Sequence, residues 1–258
     1  MKKNYIVLLL LLCNTVLFAQ NNDFTNGGGD FLWSNTANWS LGTTPNTSET
    51  IRSSVTGSIV DADYTLFVIQ NIFGTSTNVS IGGGGTGTLT IDAKVNNGFG
   101  IKNVSDSDVS LSFAGKVTIN NSNPAPSNIT LMRSENGNTN DVNDIVFESS
   151  SILTLTTPLE TRTGTGGDIF HFNGALEGIA TLRFGAGTTN NFGSTSNNPN
   201  FGGDLVYVGS ATVVANTADN NVFLPTGRKI QFNARSSTLR LDLHQSLRIF
   251  AKNNKDYF

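Results

Sequence analysis

Three stretches of this chain decide its fold: VSLSFAGKVTIN (residues 109–120), IVFESSSILTLT (145–156) and LVYVGSATVVAN (205–216). Each consists of two short strands in which apolar and polar residues alternate, joined by a corner of small residues. A fourth copy begins at Ile230, and a looser copy with a longer corner begins at Ile169. In chain order the five starts are 36, 24, 36 and 25 residues apart. This spacing indicates a coil of about two dozen residues that sometimes carries an insertion of about twelve.

Repeats of this size predict a β-solenoid, because one coil buries its apolar side only by stacking on the next coil. Beyond the first nineteen residues, no stretch keeps apolar residues at helical spacing for three turns. We therefore predict an all-β chain folded as a parallel β-helix, in which equivalent strands of successive coils pair in parallel.

The aligned copies also predict an aromatic ladder through the core. Phe113, Phe147 and Phe232 end the first strand in three copies, and Tyr207 stands at the same place in a fourth. Stacked rings in successive coils would stabilise the fold beyond the burial of their area.

Two polar stretches, 120–128 and 185–203, coincide with the longer spacings between copies. We expect them to form protruding loops or widened coils. Loops on a rigid scaffold often carry binding residues, so both stretches are candidate binding regions. We favour the alternative that they are tolerated insertions, because solenoid loops vary freely.

The first nineteen residues predict a cleaved secretory signal peptide. Two lysines precede a short apolar run, and the stretch ends at the small residue Ala19. The run is shorter than the roughly 20 apolar residues that a membrane-spanning helix needs. We expect the mature chain to begin at Gln20, with an N-terminal cap segment over 20–50 and β-helix repeats over 51–258.

The mature chain is then mildly acidic and free of cysteine. The formal net charge falls from −3 to −5, because residues 1–19 contain Lys2 and Lys3 but no acidic residue. This balance argues against nucleic acid as a partner, since nucleic-acid binding needs clustered Lys and Arg. The single cysteine, Cys13, lies within the signal peptide, so we expect no disulfide, thiolate nucleophile or sulfur metal site.

Trp33 and Trp39 are the only tryptophans, and their even spacing places them on one face if the segment is extended. Two interpretations remain open. The rings are ligand-binding platforms that stack on sugar rings, or they cap the open lower end of the helix. We favour the cap, because a solenoid must cover its first apolar coil.

The densest polar cluster consists of Asp168, His171, Glu177 and Arg183. If Phe170 and Phe172 point inward, His171 faces out, and Arg183 approaches from the neighbouring strand. A base, an acid and a cation together are what a polysaccharide lyase needs to remove a proton and stabilise the resulting enolate. Such triplets also arise by chance on a solenoid surface, so these four residues are candidates for catalysis but catalysis is not expected.

Two carboxylate pairs, Asp61 with Asp63 and Asp106 with Asp108, have the spacing of possible calcium ligands or of an acid and base pair. Neither pair has the dense oxygen ligands of a calcium loop around it. We interpret them as solvated turn carboxylates and predict no metal site and no cofactor.

Threonine pairs on one strand face, such as Thr88 with Thr90, have the geometry of an ice-binding surface. Ice-binding faces repeat this motif on nearly every coil. Arg240, Tyr207 and His171 occupy the corresponding positions in other copies, which argues against ice binding.

Two segments support a resemblance to a known family. LWSNTANWSLGTTP (32–45) resembles the entry segment of secreted bacterial autotransporter-type β-helix proteins, and residues 182–233, LRFGAGTTNNFG through GRKIQFN, resemble one autotransporter-associated β-strand repeat. The resemblance implies a right-handed parallel β-helix, exported to the surface or exterior of a Gram-negative bacterium and often serving as an adhesin-like passenger.

We therefore expect a secreted or cell-surface structural and adhesive module that binds glycan or matrix along its strand faces. The alternative is a polysaccharide-acting enzyme, either a lyase or a hydrolase, and a third class is a structural spacer without a ligand. We expect no transmembrane span in the mature chain. We also expect either further repeats beyond Phe258 or self-association through the uncapped end, because an open solenoid exposes its last coil.

Overall fold

The computed structural model describes residues 20–72, 74, 77–95, 97–104, 108–123, 129–134, 143–164, 168–193, 198–215, 228–233 and 236–241. These residues form 21 strands and one 3-10 helix of three residues, η1 (Thr36–Asn38). The predicted signal peptide, residues 1–19, lies outside the described residues.

The strands form three sheets in which every neighbouring pair is parallel. The nine-stranded sheet contains, in spatial order, β1 (Gln20–Phe24), β2 (Glu49–Ser53), β4 (Val68–Asn71), β7 (Gly98–Asn103), β10 (Thr130–Ser134), β13 (Leu159–Thr163), β16 (Leu182–Phe184), β18 (Leu205–Tyr207) and β20 (Ile230–Phe232). The seven-stranded sheet contains β5 (Val79–Ile81), β8 (Leu111–Phe113), β11 (Ile145–Phe147), β14 (Ile169–Phe172), β17 (Thr189–Phe192), β19 (Thr212–Ala215) and β21 (Thr238–Leu241). The five-stranded sheet contains β3 (Tyr64–Leu66), β6 (Thr88–Asp92), β9 (Lys116–Asn120), β12 (Ile152–Leu155) and β15 (Ala175–Gly178).

The chain visits the three sheets in a fixed rotation. From β5 to β16 it passes from the seven-stranded to the five-stranded to the nine-stranded sheet, and then begins the next coil. Each coil therefore lies on the one before it, with strands of neighbouring coils about 4.8 Å apart. This confirms the prediction of an all-β parallel β-helix.

The core occupies the space between the three sheets. Along most strands, alternate side chains point inward and are buried, as for Leu153 and Leu155 in β12 or Phe170 and Phe172 in β14. Their neighbours point outward, because side chains alternate across a strand. The period-two pattern of the sequence thus separates an inner apolar column from an outer polar column on every sheet.

The repeat copies do not all occupy the same place on the coil. The copies that begin at Val109 and Ile145 span the seven-stranded and five-stranded sheets, as β8–β9 and β11–β12. Those that begin at Leu205 and Ile230 span the nine-stranded and seven-stranded sheets, as β18–β19 and β20–β21. The 36-residue step from Ile169 to Leu205 is therefore a change of phase along the coil and not an insertion into it.

The polar stretch 185–203 is consequently not a simple loop. It contains β17, and Phe201 bridges to Gly178 at the position of the five-stranded sheet. Of the other stretch, 120–128, residues 124–128 lie outside the described residues. The cap segment predicted over 20–50 contributes β1, which pairs with β2 as the first strand of the nine-stranded sheet.

The aromatic residues form two ladders instead of one. Phe113, Phe147, Phe172 and Phe192 stack along the seven-stranded sheet, with centroid separations of 5.4, 5.7 and 5.0 Å. A second ladder along the nine-stranded sheet consists of Phe184, Tyr207 and Phe232, with separations of 5.2 and 4.5 Å. The prediction that Phe113 and Phe147 share a ladder is confirmed, but their grouping with Tyr207 and Phe232 is wrong because of the phase change.

Buried asparagines close the corner between the nine-stranded and seven-stranded sheets. Asn71 donates from Nδ2 to Oδ1 of Asn103, over 2.6 Å. Asn103 in turn donates to the backbone carbonyls of Val109 and Asp144, each at 2.9 Å. Both asparagines are fully buried. Asn103 therefore supplies a donor to the carbonyl of Val109 and a second donor to that of Asp144, which also accepts from the backbone N–H of Leu111 at 2.9 Å.

Candidate binding surface

The four residues predicted as a catalytic set lie on different sides of the coil. His171 faces outward from β14 of the seven-stranded sheet, Glu177 from β15 of the five-stranded sheet, and Arg183 from β16 of the nine-stranded sheet. Asp168 immediately precedes β14 and is buried. The prediction that Arg183 approaches His171 is therefore wrong, because their strands belong to different sheets.

Glu177 and Arg183 each have a partner on an adjacent coil. Asn200 donates from Nδ2 to Oε1 of Glu177 over 3.1 Å. Arg183 donates from Nε to Oε2 of Glu160 over 2.9 Å. These contacts hold the two side chains against their own sheets and direct neither toward His171.

Asp168 joins two sheets at a buried corner. Its carboxylate accepts hydrogen bonds from the backbone N–H of Asn143 at 3.1 Å and from the hydroxyl of Thr163 at 2.8 Å. Burial raises the pKa of Asp168, the nearby charge of Asp144 raises it further, and these hydrogen bonds oppose the rise. Asp168 is 1% exposed. It connects the end of β13 in the nine-stranded sheet to the start of β14 in the seven-stranded sheet.

His171 borders a polar groove on the seven-stranded sheet. Its Nε2 lies 3.2 Å from Oδ2 of Asp144, and its Nδ1 lies 3.5 Å from Nδ2 of Asn191. Asp144 also lines a shallow groove of about 350 Å³, together with Asn78, Asp108, Val109 and Ser110. The groove therefore presents amide, hydroxyl and carboxylate groups to the solvent side of this sheet.

The two tryptophans are buried at the N-terminal end of the core. Trp33 is 0% and Trp39 is 3% exposed. Their rings meet edge to face at 5.1 Å, and both pack against Phe24. The segment between them is not extended, because η1 lies there. The hypothesis that they bind sugars by stacking is wrong, since neither ring has an accessible face, and their position in the first coil fits the cap interpretation.

Trp33 also contacts a fourth aromatic ring, that of Tyr64. Its indole N–H is buried and has no hydrogen-bond acceptor among the described residues, whereas Trp39 donates from Nε1 to the carbonyl of Trp33 at 2.8 Å. Tyr64 packs on Trp33 at 5.5 Å, and burial raises its pKa to about 12. The cluster is a buried aromatic core that presents no ring face to a ligand.

The predicted carboxylate pairs hold backbone groups. Asp61 accepts from the backbone N–H of Ser34 at 3.0 Å, and Asp63 accepts from that of Thr88 at 2.7 Å. Asp106 lies outside the described residues, and Asp108 lines the groove on the seven-stranded sheet. Within the described part of the chain, no three His, Cys, Asp or Glu residues are grouped so that they could hold a metal ion.

Sequence reasoning missed a recurring connection between coils. An Asp or Asn immediately before a strand accepts a hydrogen bond from a backbone N–H one coil further on, at 2.7 to 3.0 Å. The four pairs are Asp63 with Thr88, Asn78 with Ser110, Asp144 with Ile169, and Asp204 with Lys229. The signal was present in the sequence as an Asp or Asn followed directly by an apolar strand residue.

A continuous threonine column runs along the outward face of the five-stranded sheet. Thr65, Thr90, Thr118 and Thr154 are in direct register on four successive coils, and Glu177 follows on the fifth. None of the four hydroxyls forms a hydrogen bond with another described residue. They therefore point to solvent at intervals of about 4.8 Å.

The threonine column shows that the argument against an ice-binding face was wrong. Arg240 and His171 lie in the seven-stranded sheet and Tyr207 in the nine-stranded sheet. None of them interrupts the threonines, because all three belong to other sides of the coil.

No protein-family model, curated protein or solved structure matches this chain. The resemblance to autotransporter-associated repeats therefore stays a prediction. Among the described residues there is no helix long and apolar enough to cross a membrane.

Proposed function

We propose that the protein is a secreted or cell-surface β-helix of a Gram-negative bacterium that binds an extended polysaccharide or matrix polymer along its outward sheet faces. The observation that supports this proposal is the in-register outward columns, of which the threonines of the five-stranded sheet are the clearest example. Identical groups at a constant interval suit a polymer that repeats along its length, because each coil offers the same contact to the next unit.

The first experiment tests export and binding together. The full chain is expressed in a Gram-negative host, and the intact mass of the released protein is measured. We expect a product that begins at Gln20 and is retarded in native gels containing polysaccharide. A chain that stays in the cytoplasm with residues 1–19 attached would contradict the export proposal. Unchanged mobility in every polymer gel would contradict the binding proposal.

The alternative function is a polysaccharide-cleaving enzyme. Its predicted residues, His171 and Arg183 among them, lie on separate sheets, so this set gives the alternative no support. The test is release of reducing ends from the polymers that bind. We expect none above background. Turnover that is lost in a His171→Ala variant would instead establish the enzyme.

The threonine column favours ice binding as a second candidate function. Each threonine lies directly opposite the next one, and Lys116 is the one cation in the strands of that sheet. Thermal hysteresis of the purified chain tests this candidate, with a Thr118→Glu variant as the comparison. Loss of hysteresis in the variant would support it, and no hysteresis in the parent chain would eliminate it.

A further inference from the structure

The outward face of the nine-stranded sheet carries a row of cations in register. Arg52 lies opposite Gln70, which lies opposite Lys102; Lys102 lies opposite Arg133, and Arg133 opposite Arg162. We call the four cations Arg52, Lys102, Arg133 and Arg162 the basic column. Neighbouring members on adjacent coils are about 4.8 Å apart at the backbone.

Positive charge is concentrated on this one sheet. Seven Lys and Arg residues lie in the described strands, and five of them are here; they are Arg52, Lys102, Arg133, Arg162 and Arg183, against Lys116 and Arg240 elsewhere. The same strands contain only three carboxylates, Asp23, Glu49 and Glu160. Like charges directly opposite each other on a sheet are unfavourable for folding. Two of the carboxylates offset part of this repulsion, because Asp23, in register with Arg52, accepts from its guanidinium at 2.6 and 2.7 Å, and Glu160 accepts from Arg162 and Arg183. The strands of this sheet still contain two more cations than carboxylates, which suits an anionic ligand.

An outward aromatic ring lies within the basic column. Phe99 is half-buried, and the Lys102 ammonium and Arg133 guanidinium lie 5.4 and 5.5 Å from its centroid. The pairing register shifts here, with Leu131 opposite Phe99 but Met132 opposite Ile101, so Gly100 is an extra residue. Because of this bulge, Phe99 and Lys102 both face outward although they are three residues apart.

A groove of about 310 Å³ extends the column toward later coils. It is lined by Glu160, Arg162, Arg183, Gly185, Ala186 and Val208. The Glu160 side chain is 3% exposed and accepts from Nε of Arg162 at 2.6 Å and from Nε of Arg183 at 2.9 Å. One buried carboxylate thus orients two guanidinium groups. Arg183 engages Glu160 through Nε, and its terminal N–H groups suit bidentate contact with a carboxylate or sulfate.

From this arrangement we propose that the basic column and its adjoining groove bind an acidic polysaccharide, with the carboxylate or sulfate groups on the cations and a sugar ring on Phe99. This inference rests on the proposed function and names the class of polymer and the face that binds it. The cations form one row, which matches a polymer that carries its charges in one row. A nucleic acid needs a denser positive surface than this sheet offers, since Asp23 lies in the same outward row and pairs with Arg52.

The test compares four polymers by affinity electrophoresis and calorimetry with the purified chain. They are polygalacturonate, dextran sulfate, uncharged dextran and double-stranded DNA. We expect binding to the first two at low salt, weaker binding to dextran, and the weakest binding to DNA. Polygalacturonate and dextran sulfate distinguish carboxylate from sulfate as the preferred group.

Variants locate the binding face. Lys102→Gln and Arg133→Gln should each weaken polygalacturonate binding about fivefold to tenfold and lower the slope of log K against log salt by about one. Phe99→Ala should weaken binding without changing that slope. The matched control is Lys116→Gln, which removes the same charge from an exposed position on the five-stranded sheet. It should leave the affinity unchanged within twofold.

The outcomes separate this inference from the function on which it rests. Equal losses in Lys102→Gln and Lys116→Gln would overturn the assignment to this face. Binding to dextran that is as tight as to polygalacturonate would overturn the acidic class while leaving polysaccharide binding intact. DNA bound most tightly would replace the proposed partner, and no binding to any polymer would remove both proposals. Far-UV circular dichroism and urea midpoints of the variants show whether each is folded.

Discussion

Replacing Phe147 tests whether the aromatic ladder of the seven-stranded sheet holds the coils together. The ring is 1% exposed and stacks between Phe113 at 5.4 Å and Phe172 at 5.7 Å, with interplanar angles of 21° and 10°. A buried Phe→Ala change typically costs about 3–5 kcal/mol. Two stacked pairs, each contributing about 0.5–1.5 kcal/mol, place Phe147→Ala in the upper part of that range.

The assay uses two probes of urea unfolding. Far-UV circular dichroism reports on all strands, whereas fluorescence reports on Trp33 and Trp39, which both lie in the first coil. In a solenoid each coil contacts only its neighbours, so a defect in one coil weakens the coupling between the two parts of the stack. We expect the dichroism midpoint of Phe147→Ala to fall more than the fluorescence midpoint.

Val146→Ala is the matched control, because Val146 occupies the same strand and faces outward. It should cost less than about 1 kcal/mol. If Phe147→Ala does not fold, Phe147→Leu, which keeps most of the side-chain volume, should still cost roughly 1–2 kcal/mol. A Phe147→Ala variant as stable as the control would refute the reasoning about the ladder.

Three further predictions follow from buried groups. Asn103→Leu leaves the carbonyl of Val109 and the Nδ2 of Asn71 without their hydrogen-bond partners and should lower the free energy of unfolding by about 2–4 kcal/mol in urea titration, whereas a change below about 1 kcal/mol would contradict the role of the corner amides. Burial raises the pKa of Asp168, so its carboxyl group favours folding below the unfolded pKa of about 3.9 and loses that contribution as the pH rises through the folded pKa. The free energy of unfolding of Asp168→Asn, relative to that of the parent chain, should therefore increase between about pH 4 and pH 7. A difference that stays constant over this range would refute this. Gly178 has φ of +92°, and a Cβ there would lie 2.2 Å from the carbonyl oxygen of Leu155, so Gly178→Ala should lower the urea midpoint clearly, while Gly83→Ala, where a Cβ meets nothing within 4 Å, should change it little.

The candidate surface was only partly predictable from the sequence. The Asp or Asn that precedes a strand and caps the next coil is visible in the chain, as at Asp144 and Asp204. The basic column is not, since Lys102, Arg133 and Arg162 are about thirty residues apart and come into register only when the coils stack. Coil lengths vary, because loops at the corners differ in length, so no fixed sequence period brings these residues together.

The predicted approach of Arg183 to His171 was wrong for a related physical reason. His171 and Arg183 are twelve residues apart, and this short separation predicted that they lie on neighbouring strands. In the β-helix a short strand, β15, lies between them and turns the chain onto a third sheet. Residues close in sequence therefore diverge, and residues one coil apart become neighbours.

The sequence by itself determined that the chain forms strands, that they stack as coils and that Phe113 and Phe147 point inward, because the direction of a side chain alternates along any strand and an apolar edge must be covered. Only the tertiary structure decided which sheet each strand joins. A two-strand corner has the same local pattern wherever it lies on the coil, so the phase of the repeat is set by the packing of whole coils. That phase sorted the aromatics into two ladders, buried Trp33 and Trp39, and assembled the threonine and basic columns from residues far apart in the chain.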